Sequence, residues 1–165
     1  MSDRGTTAGT TAGFVSRFLA FAIDVVIVSV VLAASAWFLG RVGAMLRLTA
    51  PGWLDPVKSW LSGTIAFLAA AAYFTIGWAA FGQTLGKAFM GLRVTTPAGA
   101  QPGVARSALR FLGYLVSALP LYLGFAWILF DSRRLGWHDH IARTRVVYSR
   151  KRWTPVTPEV PAARR

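Results

Sequence analysis

Two stretches of this chain are too long and too apolar for a small soluble fold to bury. From Phe14 to Gly40 the only full charges are Arg17 and Asp24, and from Trp60 to Phe81 there are none. At 1.5 Å per residue, each stretch wound as a helix covers the ~30 Å hydrocarbon core of a bilayer. Backbone in hydrocarbon must close its hydrogen bonds internally, so both are expected as transmembrane helices. Composition agrees: 55% of the 165 residues are hydrophobic, 15% are charged and the mean hydropathy is +0.49, whereas soluble domains carry roughly 25% charged residues. Disorder needs low hydrophobicity and is excluded for the bulk of the chain. Ala34-Ser35-Ala36 formally fits a signal-peptide cleavage site. An aspartate within the apolar run, and further membrane-like segments beyond it, favour a retained helix.

A third apolar segment, about Val104 to Phe130, is divided by Pro120 and carries Arg106 and Arg110 one turn apart. Arg133, Arg134, Arg143, Arg145, Arg150, Lys151 and Arg152 follow it, while Lys87 and Arg93 precede it. The positive-inside rule places both flanks on the cytoplasmic side. A re-entrant or in-plane hairpin bent at Pro120 satisfies that; a simple third span is the alternative. Leu92-Arg93-Val94-Thr95-Thr96 and Thr144-Arg145-Val146-Val147-Tyr148 are β-branched and fit a small cytoplasmic two-stranded β pair. The expected fold is therefore an all-α membrane protein with two transmembrane helices, a Pro-bent third segment and that pair. Residues 1–12 read as a disordered tail, 13–149 as the membrane domain, and 150–165, basic and Pro-containing, as a second disordered tail. Both termini are expected in the cytoplasm, in a multi-pass protein of the cell membrane.

Eighteen basic residues against six acidic ones give a net charge of +12. The basic residues lie between and after apolar segments, which favours anionic lipid head groups over nucleic acid. There is no cysteine, hence no disulfide and no thiolate site.

Ionisable groups at membrane depth are costly and informative. Asp24 lies ten residues into the first span. Arg17, seven positions earlier, shares its helix face, but helical side chains lean toward the N-terminus, so the two do not pair easily. Asp24 is expected to meet Arg106 or Arg110, and Arg17 to meet Asp131 or Asp139. Gly82-Gln83-Thr84-Leu85-Gly86-Lys87 is one residue short of a phosphate loop and has Ala88 where Ser or Thr would hold magnesium. It reads instead as a helix end at Gly82, a close turn at Gly86, and a short helix to Met90 capped by Thr84. His138-Asp139-His140 supplies too few ligands for a metal and reads as part of an interfacial helix, Leu135 to Ala142, with Trp137 and Ile141 facing the membrane. No nucleophile constellation is present, so neither enzymatic activity nor a cofactor is expected.

Three blocks in order carry a family resemblance: Gly13-Phe14-Val15-Ser16-Arg17 through Asp24; Gly82-Gln83-Thr84-Leu85-Gly86-Lys87 with Gly91-Leu92-Arg93-Val94; and Phe130-Asp131-Ser132-Arg133-Arg134-Leu135-Gly136-Trp137-His138-Asp139 with Ala142-Arg143-Thr144. Together they resemble the RDD family of small integral membrane proteins, named for one arginine and two aspartates. The resemblance implies that Arg17 and Asp24 are the family's arginine and first aspartate, and that the second is Asp139, with Asp131 the alternative. Ser132 stands where many relatives have proline. Some relatives are associated with sodium/proton exchange, others with larger envelope machinery that includes lipid-uptake systems. Two functions are thus expected in order: an accessory or scaffold subunit of a membrane assembly held by an Arg/Asp network, then an oligomeric cation/proton antiporter, for sodium ion or proton, with Asp24 as coupling carboxylate. A lipid-binding module resting on the basic C-terminal region ranks third.

Overall fold

The computed structural model describes residues 10–46, 51–121 and 123–149. The expected C-terminal tail and residues 1–9 of the expected N-terminal tail lie outside them. In chain order the elements are α1 (Phe14–Met45), α2 (Asp55–Phe81), α3 (Leu85–Phe89), β1 (Leu92–Thr95), α4 (Val104–Ala118), α5 (Leu123–Ala126), α6 (Trp137–Ala142) and β2 (Arg145–Tyr148). A 3-10 turn, Gly52–Leu54, leads into α2, and another, Trp127–Leu129, extends α5.

Helices α1 and α2 are the two long enough and apolar enough to cross a membrane. Helix α2 begins five residues before the apolar run. Asp55-Pro56, expected in the connection, instead starts it, with Pro at the first turn, where its missing N–H costs nothing, and Asp55 at the positive end of the dipole. Gly82 ends α2 in the left-handed conformation with φ 69°, as expected.

The molecule is built inside out. Only Arg17, Ala20 and Asp24 are buried on α1, while Val26, Val30, Val31, Phe38 and Leu39 are exposed. Helix α4 repeats the pattern: Ser107, Arg110, Gly113 and Ser117 form its buried stripe, and Leu109, Leu112 and Leu119 face out. Polar groups that water would compete for turn inward, and the hydrocarbon-like faces turn toward lipid.

Strands β1 and β2 pair antiparallel, Leu92 opposite Tyr148 and Thr95 opposite Arg145. Thr11 bridges Val147, and the Ala12 N–H reaches the Val146 carbonyl at 3.0 Å. Residues 10–12, read from the sequence as part of a disordered tail, therefore run along β2. Nothing in their sequence alternates as a strand does; their order comes from burial of Ala12 beside β2. Because β1 precedes the third apolar segment and β2 follows it, that segment leaves the sheet and returns to it. It does so by a 109° bend between Val104–Ala118 and Leu123–Leu129. The bend falls at Pro120, which has no N–H to continue α4.

The core at this end is aromatic. Phe74 and Trp78 of α2 are buried, and the Trp78 ring meets Tyr114 of α4 edge-on at 5.2 Å. Phe21 of α1 contacts Phe74, Tyr114 and Phe125 at 5.8–6.2 Å between centroids, within the range of favourable ring pairs.

Candidate functional site

Two buried carboxylates organise this end of the molecule. Asp24 is fully buried on the second turn of α1 beyond Arg17. Its Oδ1 accepts from the Tyr73 hydroxyl of α2 at 2.7 Å and from the Gly86 N–H of α3 at 2.7 Å. Its Oδ2 accepts from the Thr84 hydroxyl at 2.5 Å, and the Lys87 ammonium stands 3.9 Å away. The Leu85 N–H in turn donates to the Tyr73 oxygen at 3.2 Å. One carboxylate thus fixes α1, α2 and the Gly82–Lys87 loop to one another.

That arrangement corrects the expectation that Asp24 meets Arg106 or Arg110. Arg106 is exposed on α4, and Arg110 lies against Asp139. The loop motif supplies the partners instead, which spacing alone could not reveal because the residues are about 60 positions from Asp24. Thr84 does occupy the N-cap position of α3, but its hydroxyl serves Asp24 and makes no cap. Gly86 lies within α3, not in a turn. A Cβ there would strike the Ala20 carbonyl oxygen and come within 2.8 Å of the Asp24 carboxyl carbon, so only glycine lets α3 sit on α1. Gln83 is half-buried and gives its N–H to the Gly77 carbonyl at 3.1 Å, closing the end of α2.

Asp139, on the first turn of α6, is also fully buried. Arg17 Nη1 donates to its Oδ2 at 2.5 Å, and Arg110 Nη1 donates to its Oδ1. The Gly136 N–H adds a bond to Oδ2 at 3.2 Å, so the acid also satisfies the helix N-terminus. Arg17 spends its other donors on the carbonyls of Ala12 at 3.1 Å and Val146 at 3.4 Å. Arg110 reaches the Thr144 hydroxyl at 2.6 Å and stacks over Trp78 and Tyr114, 5.1 and 5.6 Å from their centroids. The planar guanidinium suits that combination of carboxylate and ring contact.

Burial favours the neutral form of Asp139, but the Arg110 and Arg17 guanidiniums outweigh it and hold the carboxyl below the usual range. Burial acts the other way on His138, whose ring packs against Tyr114 at 4.5 Å: it pushes the imidazole down to about 3 and leaves it neutral. His140 is exposed while His138 is buried, and among the described residues no three His, Cys, Asp or Glu side chains gather as metal ligands would.

Of the two candidate second aspartates, Asp139 is the one in the network with Arg17. Asp131 makes a local turn, accepting the Leu135 N–H at 2.8 Å. Tyr73 and Thr144 complete the site and escaped the sequence reading. Tyr73 lies in an uncharged span and Thr144 immediately before β2, where a hydroxyl gives no distinctive signal. Gly113 escaped too: a Cβ there would come within 2.8 Å of the His138 Cα, so the glycine admits α6 against α4.

No solved structure matches the chain. The uncharacterized protein YxaI of Bacillus subtilis (strain 168) is 35% identical to it over 152 residues, covering 83% of this chain and 97% of that protein. A model of the RDD family matches residues 11–143, a span that contains Arg17, Asp24 and Asp139, and the chain belongs to that family.

Proposed function

We propose that this RDD-family membrane protein is an accessory or scaffold subunit of a membrane assembly, and that its Arg/Asp network is a clamp that sets helix geometry. The observation that carries this reading is that every oxygen of both carboxylates is engaged. Every oxygen of Asp24 and Asp139 accepts at least one hydrogen bond from a group fixed by another element or by the helix terminus. A carboxylate that exchanges a proton for a cation must shed such partners, and each buried charge-assisted bond makes that harder.

The sheet end is the cytoplasmic one in this reading. It carries Arg93, Arg106, Arg133, Arg134 and Arg143, all exposed, which the positive-inside rule retains in the cytoplasm and which suit anionic head groups of the cell membrane. Both termini then lie in the cytoplasm, with α1 and α2 crossing. The exposed apolar faces of those helices offer area for a second copy or a larger partner as well as for lipid.

Sodium-dependent proton flux in proteoliposomes tests the proposal, with the parent protein beside Asp24→Asn. The expected result is no flux in either, with partner proteins retained on both during mild extraction and lost from Asp139→Ala, which breaks the clamp. Flux in the parent alone would overturn the scaffold reading and make Asp24 the coupling carboxylate of an oligomeric antiporter.

A further inference from the structure

A cavity of about 330 Å³ opens beside the clamp, between the first two turns of α1 and the returning limb of the third segment. Its walls are apolar, formed by Phe21 of α1 with Phe125 and Ile128 of the returning limb. Its rim includes the apolar side chains of Phe18 and Leu121, 57% and 89% exposed. Arg17, Lys87 and Arg110 also line it, and all three are buried. An apolar cleft of this size with a few convergent polar groups has the form of a small-ligand site.

The charges in it do not balance. Among the described residues the buried ionised groups of this cluster are three cations, Arg17, Lys87 and Arg110, against two carboxylates, Asp24 and Asp139. Asp139 is shared by two guanidiniums. The Lys87 ammonium is 1% exposed and has no hydrogen-bond partner; Asp24, at 3.9 Å, is beyond that reach. Arg110 Nε is likewise buried without an acceptor. Burying an unmatched positive charge costs several kcal/mol, and a bound monoanion would offset it.

We infer that this cavity binds a single-chain amphiphile with a carboxylate head, a fatty acid, whose head group takes Lys87 and Arg110 and whose acyl chain leaves past Phe18 and Leu121 into the bilayer. The apolar wall of Phe21, Phe125 and Ile128 suits one acyl chain laid along it, and the head carries the one negative charge that the cluster lacks. With the sheet end at the cytoplasmic surface, as proposed above, the first turns of α1 fall at the membrane boundary, the depth at which a fatty acid holds its carboxylate. This inference does not depend on the scaffold reading, since a transporter could hold the same ligand.

The test uses full-length protein in a neutral maltoside detergent, with the fluorescent fatty acid cis-parinaric acid as probe. Saturable enhancement, displaced by oleate, is expected. Oleyl alcohol should compete at least tenfold more weakly, because it lacks the charge. Lys87→Met should weaken probe binding at least tenfold. Ala126→Trp, which fills the cavity from a residue that makes none of the ionic network's bonds, should weaken it comparably while leaving the thermal unfolding midpoint of the protein close to the parent's. The inference is overturned if oleyl alcohol competes as well as oleate, if Ala126→Trp binds as the parent does, or if phosphatidylglycerol displaces the probe and oleate does not.

Discussion

The two buried carboxylates lie on different elements, Asp24 on α1 and Asp139 on α6, and are stabilised in different ways. Asp24 is held by neutral donors, two hydroxyls and one peptide N–H, with a lysine at the edge of ion-pair distance. Asp139 is held by two guanidiniums. The first arrangement resembles an anion in a ring of dipoles, and a neutral isostere can still fill it. In the second, removing the acid leaves two like charges facing each other in a dry interior. Equal burial therefore does not mean equal sensitivity to substitution.

The largest effect should come from Asp139→Ala. Breaking a buried ion pair from one side costs about 3–5 kcal/mol, read as lost stability toward unfolding in detergent micelles. Arg110→Met should cost less, because Arg17 still neutralises Asp139 and the methionine keeps contact with Trp78. Gly86→Ala comes next: it forces α3 off the Ala20 carbonyl and should lower stability by about 1–3 kcal/mol, the usual range for overpacking. A variant as stable as the parent would contradict the close approach of α3 to α1.

Asp24 provides the contrast. Asp24→Asn keeps an acceptor for Tyr73 and Gly86 and should cost about 1–2 kcal/mol, while Asp24→Ala, which strands all three donors, should cost clearly more. If Asn and Ala behave alike, the negative charge rather than the acceptor geometry holds that side together. The smallest effect is expected at Arg106, exposed on α4, where Ala should change stability by less than about 0.5 kcal/mol.

Acid should also separate the two sides. His138 is neutral in the folded protein, with its imidazole pushed down to about 3 from the ordinary 6.5. As pH falls below about 6.5, the unfolded chain takes up a proton that the native state refuses. Stability should therefore decline by up to ~1.4 kcal/mol per pH unit from that point toward pH 3. Asp139 adds its own loss only below the ordinary carboxylate range, where the unfolded chain protonates and the native acid does not. His138→Phe should flatten the profile between pH 6 and 4; an unchanged slope would place the titration elsewhere.

Much of this architecture is legible in the residues. The two spans follow from apolar length, the β pair from branched residues on either side of the third segment, and the hairpin from Pro120 combined with basic residues on both flanks. Arg17 and Asp24 stand out because charge in an apolar context is rare, whereas Asp139 is picked out by the family resemblance, with Asp131 as the alternative. Partner choice was the part that sequence could not give. Arg110 and Asp24 seemed matched by charge and depth, yet Asp24 is filled by the Gly82–Lys87 loop, and Arg110 is left to Asp139. Charge says that a buried acid needs donors, but a hydroxyl or a peptide N–H meets that need as well as an arginine, and neither announces itself in a sequence. The order in residues 10–12 was hidden for a related reason: it comes from an edge of β2 that exists only after folding.

The most direct test of the clamp compares Asp139→Asn with Asp131→Asn, measuring unfolding of each in detergent micelles at neutral pH. Both changes remove one negative charge from the same basic segment, so their effects on net charge are equal. The clamp predicts a loss of about 3–5 kcal/mol for Asp139→Asn and at most about 1 kcal/mol for Asp131→Asn, whose turn an asparagine can also make. Equal losses, or a larger one at Asp131, would contradict it.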